Sequence, residues 1–404
     1  MPQDVVVVAA VRTPFGKFGG ALQDISSIDL AVFVIRELIK RANLQGKEVN
    51  SAYYGTCIAA EVALDQNIPA RQAILRAGLP PETLSLTIDR ACCSSLTAIQ
   101  LGYRDILYGE AEVVMALGAD NMGRAPYLLP QLRMGQRRGD VTFHDPLTHG
   151  MGYKGFGQLA CDAGAVALEY GVTREDQDLW AVRSHQRCGK AWIQGKFRDE
   201  IIPIPIPQKK GDSILFAQDE LPKPETTLEK LAKLPTVYNS ATVTPGNAPG
   251  LDAGAAGVLL MSAKKAKALG LRPLATIIAS ASVAREGRLI AMVPAPAIQA
   301  VTEKAGRTLD EIDLIEINEA FAAMPLVASK ILAGGDETRL IKLREKINVN
   351  GGAVAIGHPV GASGARILMT LAYELRRRGG GLGVAAICGG LAQGDSCLIE
   401  VKKE

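Results

Sequence analysis

Residues 84–117, LSLTIDRACCSSLTAIQLGYRDILYGEAEVVMAL, carry the pattern that predicts the fold of this chain. Leu84 to Asp89 alternate between apolar and polar residues as a strand does, and Ala91 to Ser95 are small. A helix is predicted from there to about Leu107, because apolar residues recur every third or fourth position, at Leu96, Ile99, Tyr103 and Ile106. Glu112 to Leu117 then predict a second strand.

The same order of strand, small-residue loop, helix and strand recurs over residues 347–387. In this second copy Ile347 to Val349 and Leu382 to Ile387 are the predicted strands, and a helix is predicted over about 362–377. The recurrence predicts an internal duplication. Because strands and helices alternate, we expect an α/β protein in which helices cover the sheets.

Two further apolar runs are typical of strands buried on both faces, Asp4 to Ala10 (DVVVVAA) and residues 254–261 (GAAGVLLM). After the first run, Ser27 is predicted to cap a helix over about 28–42. Such strands need helices on either side of the sheet, which agrees with layered α/β architecture.

The predicted domain boundaries follow from changes in composition along the chain. We predict one half of the duplication over residues 1–121, completed by 248–270, and the other half over 271–404. Residues 122–247 contain long polar stretches and helices rich in both charges. They are therefore predicted to form an inserted lobe with its own packing.

The composition excludes several classes of protein. Of 404 residues, 48% are hydrophobic and 22% charged, the balance of a globular protein. A net charge of +3 and 5% aromatic residues do not favour nucleic acid as a partner. No run of about 18 apolar residues predicts a membrane span. The seven scattered cysteines do not form a disulfide pattern, and we expect a cytoplasmic protein without a secretory signal.

His358 is the histidine with the most informative surroundings. It lies in the glycine-rich stretch Asn350 to Gly364, NGGAVAIGHPVGASG, where the backbone can approach a ligand closely. We interpret it as a general acid/base or as a donor to a developing anion, the alternative being a turn histidine without a role. A phosphate-binding loop is disfavoured, because no Lys-Ser or Lys-Thr follows at the required spacing.

Two positions suggest reactive thiols. Cys92 lies between a predicted strand and helix, where the positive helix end is expected to lower the pKa of its thiol. Its neighbour Cys93 makes the assignment ambiguous, and a small buried residue is the alternative for either. Cys388 ends an apolar strand and precedes Gly389 and Gly390, whose backbone N–H groups it would adjoin. Four cysteines without such surroundings are expected to be structural: Cys57, Cys161, Cys188 and Cys397.

Asn318 begins the motif Asn-Glu-Ala-Phe directly after the predicted strand Asp313 to Ile317. The residue is expected to open a helix as its cap, a role that is compatible with holding a water through the side-chain amide.

Together these segments resemble the thiolase family over nearly the whole chain. The resemblance rests on seven motifs in order: VAAVRTPFG (8–16), NIPARQA (67–73), DNMGRAPY (120–127), TVTPGNA (242–248), NEAF (318–321), GHP (357–359) and CGG (388–390). Each motif alone is weak, but in this order and with a cysteine at 92 they are typical of the family. The resemblance implies two duplicated halves that form a five-layered αβαβα core, with the inserted lobe over the active site. It also implies a homodimer or homotetramer.

The resemblance further implies a role for each matching residue. Cys92 matches the nucleophile that takes the acyl group, and His358 matches the group that activates it. Cys388 matches the acid/base that moves the proton at the α-carbon. Asn318 matches the residue that positions a water in one oxyanion hole together with His358. The backbone N–H groups of Cys92 and Gly390 match the second oxyanion hole.

The implied reaction is a reversible Claisen condensation of two acetyl-CoA to acetoacetyl-CoA and CoA, or thiolysis of a 3-ketoacyl-CoA, through an acyl-cysteine. Coenzyme A and acyl-CoA would be substrates, and no metal or other cofactor is implied. A thioester on cysteine is both a good acyl acceptor and a good leaving group, which suits this chemistry.

Several positions depart from the family pattern. Cys92-Cys-Ser-Ser95 replaces the usual Cys-Gly-Ser-Gly, which predicts a narrower acyl pocket. Gln158 and Leu159 stand where the family often has His-Met near the substrate. Ala248 and Pro249 belong to Asn-Ala-Pro-Gly instead of Asn-Ala-Ser-Gly, so the serine contact to the pantetheine amide is lost. Lys223 matches a basic residue near the CoA nucleotide, and Phe321 is a further predicted substrate contact.

Two alternatives remain at this point. A related condensing enzyme such as a ketoacyl synthase would use a cysteine with two histidines, or with one histidine and another partner, which Cys388 and the motif at Asn318 disfavour. The other alternative is a non-catalytic acyl-CoA or lipid-binding protein, or a subunit of an acyltransferase complex. The altered nucleophile loop and the lost pantetheine contact are the reasons to retain it, since a fold alone does not prove activity.

Overall fold

The computed structural model describes residues 3–58, 61, 66–130, 132–150 and 152–403. The strands are β1 (Val5–Arg12), β2 (Ser51–Gly55), β3 (Leu84–Ile88), β4 (Val113–Asn121), β5 (Ile204–Ile206), β6 (Ile214–Phe216), β7 (Ala253–Ser262), β8 (Ala275–Ala284), β9 (Leu314–Ile317), β10 (Gly381–Gly389) and β11 (Gln393–Val401). The helices are α1 (Ser27–Arg41), α2 (Pro69–Ala77), α3 (Ser94–Tyr108), α4 (Pro146–Gly150), α5 (Leu159–Glu169), α6 (Arg174–Ile193), α7 (Leu228–Ala232), α8 (Ala263–Ala268), α9 (Pro294–Lys304), α10 (Ala323–Ala333), α11 (Glu337–Lys346), α12 (Ala353–Ile356) and α13 (Ser363–Arg377). Among the residues described, no helix is long and apolar enough to cross a membrane.

The sheet confirms the internal duplication. In the described chain, nine strands follow the order β3-β2-β4-β7-β1-β8-β11-β10-β9. In the first half β2 pairs parallel with β4, and β4 and β1 both pair antiparallel with β7. In the second half β9 pairs parallel with β10, and β10 and β8 both pair antiparallel with β11. The short ladder of β1 with β8, Val5–Val7 against Ala275–Ile277, joins the halves.

Five layers follow from the way the helices cover these two half-sheets. The helices α1 and α2 pack on the outer face of the first half-sheet through residues such as Leu30 and Ile74. The helices α3 and α13 lie between the half-sheets, where Leu96 and Leu368 share one apolar core. The helices α9 and α10 cover the outer face of the second half-sheet. The predicted αβαβα architecture is therefore confirmed.

Close backbone approaches bring the two copies of the motif together. A Cβ atom on Gly364, in the first turn of α13, would collide with the backbone nitrogen of Leu96 in α3. A Cβ atom on Gly118, in β4, would collide in the same way with the carbonyl oxygen of Gly361. Because glycine has no Cβ, the start of α13 lies directly against the start of α3, and the loop before α13 lies against β4.

Three local predictions are wrong. The cap of α1 is Ser26, whose Oγ accepts from the N–H of Asp29 at 3.1 Å, whereas Ser27 lies in the first turn. Asn318 does not open a helix, because α10 begins only at Ala323. The predicted strand at Ile347 to Val349 is reduced to a single bridge between Ile315 and Ile347.

Asn348 explains why the last of these strands does not form. Its φ of 49° takes the backbone out of the extended region. Its carboxamide instead accepts from the N–H of Ile317 at 2.9 Å and donates to the carbonyl of Ile317 at 2.8 Å. A side chain thus makes the two hydrogen bonds that a neighbouring strand would make.

Residues 122–247 form the connection between β4 and β7 and contain α4 to α7 and the hairpin β5–β6. Their limits, and those of the two halves, stay a prediction.

Candidate active site

A cavity of about 630 Å³ lies where the loops before α3 and α13 meet the segment between β4 and β7. Most of the predicted site residues line it: Cys92, His358, Gly390, Leu159, Ala248, Pro249 and Phe321. The segment 122–247 contributes further lining residues, among them Met122, Pro146, Leu147, Tyr153, Val237 and Tyr238. Part of the cavity wall is therefore formed by the segment 122–247, as an inserted lobe over the site would do.

The two adjacent cysteines lie within one sharp turn. Ala91 has a φ of 49°, and the N–H of Ser94 donates to the carbonyl of Ala91 at 3.0 Å. Cys92 is half-buried and faces the cavity, whereas Cys93 is fully buried, with its Sγ 3.6 Å from the carbonyl oxygen of Ile387. The tertiary structure therefore resolves the ambiguity in favour of Cys92.

His358 lies directly against Cys92. Its Nε2 is 3.0 Å from Sγ of Cys92. Its Nδ1 is 2.6 Å from Oγ of Ser363, and that hydroxyl donates to the carbonyl oxygen of Pro359 at 2.8 Å. Because the hydroxyl proton is used on Pro359, Ser363 accepts from Nδ1–H, and Nε2 keeps its lone pair for the thiol.

Burial favours the neutral form of both groups of this pair. Burial, and then the positive charge of Arg366, lower the pKa of His358 to about 3. Burial raises the pKa of the Cys92 thiol well above its usual range, and the neighbouring thiol of Cys388 adds to this. The expected lowering by the helix end is therefore wrong, because loss of hydration outweighs the helix dipole here. The thiol becomes nucleophilic only as His358 takes its proton.

Asp252 and Asp120 hold the loops of the site in place. Oδ2 of Asp252 accepts from the backbone N–H of His358 at 2.6 Å. Asp120, at the end of β4, accepts from the N–H groups of Gly361 at 2.5 Å and Cys57 at 3.0 Å. These buried carboxylates connect three separate loops around the cavity, so the dyad geometry depends on the tertiary fold.

Cys388 does not itself line the cavity, but the two glycines that follow it do. Cys388 is fully buried, and burial raises the pKa of its thiol to about 12. Gly389 and Gly390 line the cavity. A Cβ atom on Gly389 would lie 2.8 Å from Sγ of Cys93, and one on Gly390 would collide with Oη of Tyr153. Glycine at 389 lets the backbone approach the buried Cys93, and glycine at 390 leaves room for the hydroxyl of Tyr153.

Asn318 is fully buried behind the cavity and does not line it. Its Oδ1 accepts from Nη2 of Arg366 at 3.3 Å, and Arg366 also pairs with Glu316 at 3.4 Å. Nδ2 of Asn318 is buried and has no hydrogen-bond partner in the described part of the chain. Arg366 therefore fixes the carboxamide so that a donor remains for a small polar molecule such as water.

Lys223 is the predicted site residue that the structure places apart from the others. Its side chain is exposed and does not line the cavity, and its backbone N–H donates to Nδ1 of His185 at 3.2 Å. A contact of Lys223 with the nucleotide end of CoA stays a prediction. The other cysteines are also free thiols, and Cys57 lines the cavity instead of serving only in the core.

Sequence reasoning missed four residues of the site. Ser363 carried a usable signal, since it follows His358 by five residues in the same glycine-rich stretch. Asp252 and Arg366 lie in apolar or helical segments with no local sign of their contacts. Tyr153 is one tyrosine in a polar segment, and only the fold brings it to the cavity.

Comparisons with known proteins find thiolases that match this chain over nearly its full length. The family models for the thiolase N-terminal domain and the thiolase C-terminal domain match residues 5–264 and 271–401. An acetyl-CoA acetyltransferase of Syntrophomonas wolfei is 41% identical over 99% of this chain and 100% of the relative. One of Pseudomonas aeruginosa is 44% identical over 97% of this chain and 98% of the relative.

Solved structures of thiolases have the same fold. The crystal structure of the Bacillus anthracis acetyl-CoA acetyltransferase superposes with a TM-score of 0.93 at 40% identity, covering 99% of both chains. The crystal structure of human mitochondrial 3-ketoacyl-CoA thiolase in complex with CoA superposes with a TM-score of 0.92 at 37% identity, covering 99% of this chain and 98% of the human chain. With two family models that together span almost all of its residues, this chain belongs to the thiolase family.

Proposed function

We propose that the protein is an acetyl-CoA C-acetyltransferase that interconverts two acetyl-CoA with acetoacetyl-CoA and CoA, and that cleaves 3-ketoacyl-CoA by thiolysis. The observation that carries this proposal is the 3.0 Å contact of Cys92 Sγ with His358 Nε2 at the wall of the cavity. The glycine backbone at Gly390 lines the same cavity. Nucleophile, base and backbone donors are thus present around one space, as acyl transfer requires.

The first step of thiolysis is attack on the 3-keto carbon. His358 Nε2 takes the proton of Cys92 while Sγ bonds to that carbon, and its oxygen becomes an oxyanion. The backbone N–H groups of Cys92 and Gly390 supply the donors for this charge, and each such donor contributes roughly 10²–10³ in rate. The neutral dyad suits this step, because the proton moves only when the new bond forms.

The second step breaks the bond between the α-carbon and the former keto carbon. The carbonyl on Cys92 reforms, and acetyl-CoA leaves as its enolate. The protonated His358 and a water held by Nδ2 of Asn318 supply hydrogen bonds to the enolate oxygen. Cys388 then protonates the α-carbon. Its raised pKa supports this role, since the thiol still holds its proton when the enolate forms.

The third step transfers the acyl group to CoA. The thiol of CoA gives its proton to the Cys388 thiolate and attacks the acyl-Cys92 carbonyl. Cys92 leaves as a thiolate and recovers its proton from His358. Both thiols and the imidazole return to their starting states, so the cycle is balanced. The reverse sequence is the Claisen condensation.

The substrates follow from the same site. Coenzyme A and its acyl thioesters are consumed and formed, and this mechanism uses no metal or prosthetic group. The human relative named above was solved with CoA, which supports a CoA site in the shared fold. Leu159, Ala248, Pro249 and Phe321 line the cavity and are proposed to contact the acyl and pantetheine groups. We also propose a homodimer or homotetramer in the cytoplasm.

The non-catalytic alternative is disfavoured by the dyad. A protein that only binds acyl-CoA does not need a thiol against an imidazole whose other nitrogen is fixed by Ser363. The two serines of the altered nucleophile loop also have structural uses. Ser94 Oγ donates to the carbonyl of Ala91 at 2.6 Å, and Ser95 Oγ accepts from the N–H of Ala365 at 2.9 Å.

A thiolysis assay with acetoacetyl-CoA and CoA tests the proposal through the loss of the enolate absorbance. Wild-type protein is expected to turn over and to form an acetyl adduct on Cys92. Cys92→Ala is expected to lose both, whereas Cys93→Ala is expected to keep the adduct. Wild-type protein without turnover and without an adduct would contradict the proposal, and an adduct on Cys93 would contradict the residue assignment.

A further inference from the structure

The phenol of Tyr153 is a polar group of the cavity that the mechanism above leaves without a role. Tyr153 is half-buried and lines the cavity with Cys92, Gly390 and His358. Its hydroxyl makes no hydrogen bond to any other residue in the described part of the chain. A donor that faces a substrate cavity without a protein partner is available to the substrate.

The position of the hydroxyl is defined by its contact with Gly390. A Cβ atom on Gly390 would collide with Oη of Tyr153, would lie 3.2 Å from its Cζ, and would lie 3.3 Å from Cβ of Ala91. The hydroxyl therefore occupies the space that a side chain at 390 would fill. This space adjoins the backbone that is proposed to hold the acyl oxygen.

The ionisation state of the phenol suits a donor. Burial first, and then nearby negative charge from groups such as Cys57 and Asp89, raise the pKa of Tyr153 to about 12. The hydroxyl keeps its proton throughout the pH range of an enzyme assay.

The backbone around Tyr153 holds the ring in this position. Its carbonyl oxygen accepts from the N–H of Phe156 at 2.9 Å, which closes a tight turn. The neighbouring Gly152 forms an antiparallel bridge with Gln158 at the start of α5. The turn is therefore tied to a helix that packs in the main core through Ala163.

We propose that the Tyr153 hydroxyl is a third donor of the oxyanion hole, beside the backbone N–H groups of Cys92 and Gly390, to the oxygen of the acyl group bonded to Cys92. This inference rests on the proposed function. The hydroxyl donates, the acyl oxygen accepts, and the proton stays on Tyr153 throughout. Because Tyr153 belongs to the segment between β4 and β7, this segment contributes to the chemistry as well as to the walls of the cavity.

Tyr153→Phe tests the inference, because it removes the hydroxyl and keeps the ring. The matched control is Tyr108→Phe, since Tyr108 is 76% exposed at the end of α3 and does not line the cavity. We expect kcat for thiolysis and the rate of acetylation of Cys92 by acetyl-CoA to fall about 10- to 100-fold in Tyr153→Phe, with KM within twofold. We expect Tyr108→Phe to match wild type.

The carbonyl of the acetyl group gives a second readout that a purely structural role would not change. With ¹³C-acetyl on Cys92, infrared difference spectra are expected to show the thioester C=O stretch at higher frequency in Tyr153→Phe than in wild type. Active wild-type protein with an unchanged kcat and an unchanged carbonyl frequency in the variant would overturn the inference alone. Inactive wild-type protein that forms no acetyl-Cys92 would instead overturn the proposed function, so the two failures are distinguishable.

Discussion

Oγ of Ser363 lies 2.6 Å from Nδ1 of His358, and the serine gives its own proton to the carbonyl oxygen of Pro359. The serine can therefore only accept from the imidazole, which leaves Nε2 as the base that faces Cys92. Four residues lie between the two in the sequence, and the first turn of α13 brings them together. The base of the reaction is thus oriented by the residue that begins the next helix.

Ser363→Ala is expected to lower kcat about 10-fold or more, as a part of the ~10²–10⁴ that general acid–base catalysis contributes. Without the acceptor, Nδ1–H is unpaired and the imidazole can rotate or exchange its tautomer. Steady-state kinetics and thermal unfolding measure the effect. Ser329→Ala is the control, because Ser329 is a buried helix serine that donates to the carbonyl of Leu326 at 2.9 Å. An unchanged kcat in Ser363→Ala would contradict the assigned tautomer.

Alkylation of Cys92 by iodoacetamide is expected to accelerate with rising pH up to at least pH 9, with no plateau between pH 5 and 8. The pKa of the thiol is raised by burial and that of His358 is lowered to about 3, so an ion pair does not form in this range. The rate is followed by mass spectrometry of the Cys92 peptide, with Cys92→Ala as the blank. A rate that is constant from pH 5 to 8 would show a preformed thiolate–imidazolium pair instead.

Pro249→Ser is expected to lower the apparent KM for CoA about 2- to 10-fold, the effect of one hydrogen bond of about 0.5–1.5 kcal/mol. Pro249 lines the cavity and has neither a hydroxyl nor an N–H to offer to the pantetheine. Pro249→Ala is the matched control, because it removes the ring without adding a donor. Equal KM values for the serine and alanine variants would mean that other groups hold the pantetheine.

Asp252→Asn is expected to flatten the pH dependence of stability between pH 4 and 7. Burial raises the pKa of Asp252 to about 7. The folded state therefore holds a proton that the unfolded chain releases from about pH 4, and the unfolding free energy falls as the pH rises towards 7. At ~1.4 kcal/mol per pKa unit, this contribution is at most about 4 kcal/mol. Urea unfolding at pH 4.5 and 7.5 measures it, with the exposed Asp212→Asn as the control. The prediction would be contradicted if the unfolding free energy changed by the same amount between pH 4.5 and 7.5 in wild type and in Asp252→Asn.

Gly364→Ala is expected to destabilise the protein by about 1–3 kcal/mol and to lower kcat. Alanine is favoured over glycine in a helix by about 1 kcal/mol, but its Cβ would collide with the backbone nitrogen of Leu96, which cannot retreat as a side chain can. Gly123→Ala is the control, since a Cβ atom at 123 would lie 3.4 Å from its nearest neighbour, Oδ1 of Asn121, which is an ordinary van der Waals contact. Chemical denaturation compares the two, and equal stability of both variants would argue against the tight crossing of α3 and α13.

The sequence by itself determined the duplicated strand, helix and strand units and their α/β layers. Periodicity and turn residues are local properties, so the apolar stripe of α3 and the apolar runs of β1 and β7 are visible without the fold. The order of the motifs likewise determined the family, and with it the candidates Cys92, His358, Cys388 and Asn318.

Only the tertiary structure decided which of two adjacent cysteines faces the cavity, and in which protonation state. Cys92 faces the cavity and Cys93 is buried in the core, in a turn where Ala91 has a positive φ that no local pattern specifies. Burial by residues distant in the sequence reverses the pKa shift expected from the helix end, because desolvation depends on every neighbouring chain segment. The same dependence on distant contacts places Tyr153 over Gly390 and directs Arg366 to Asn318.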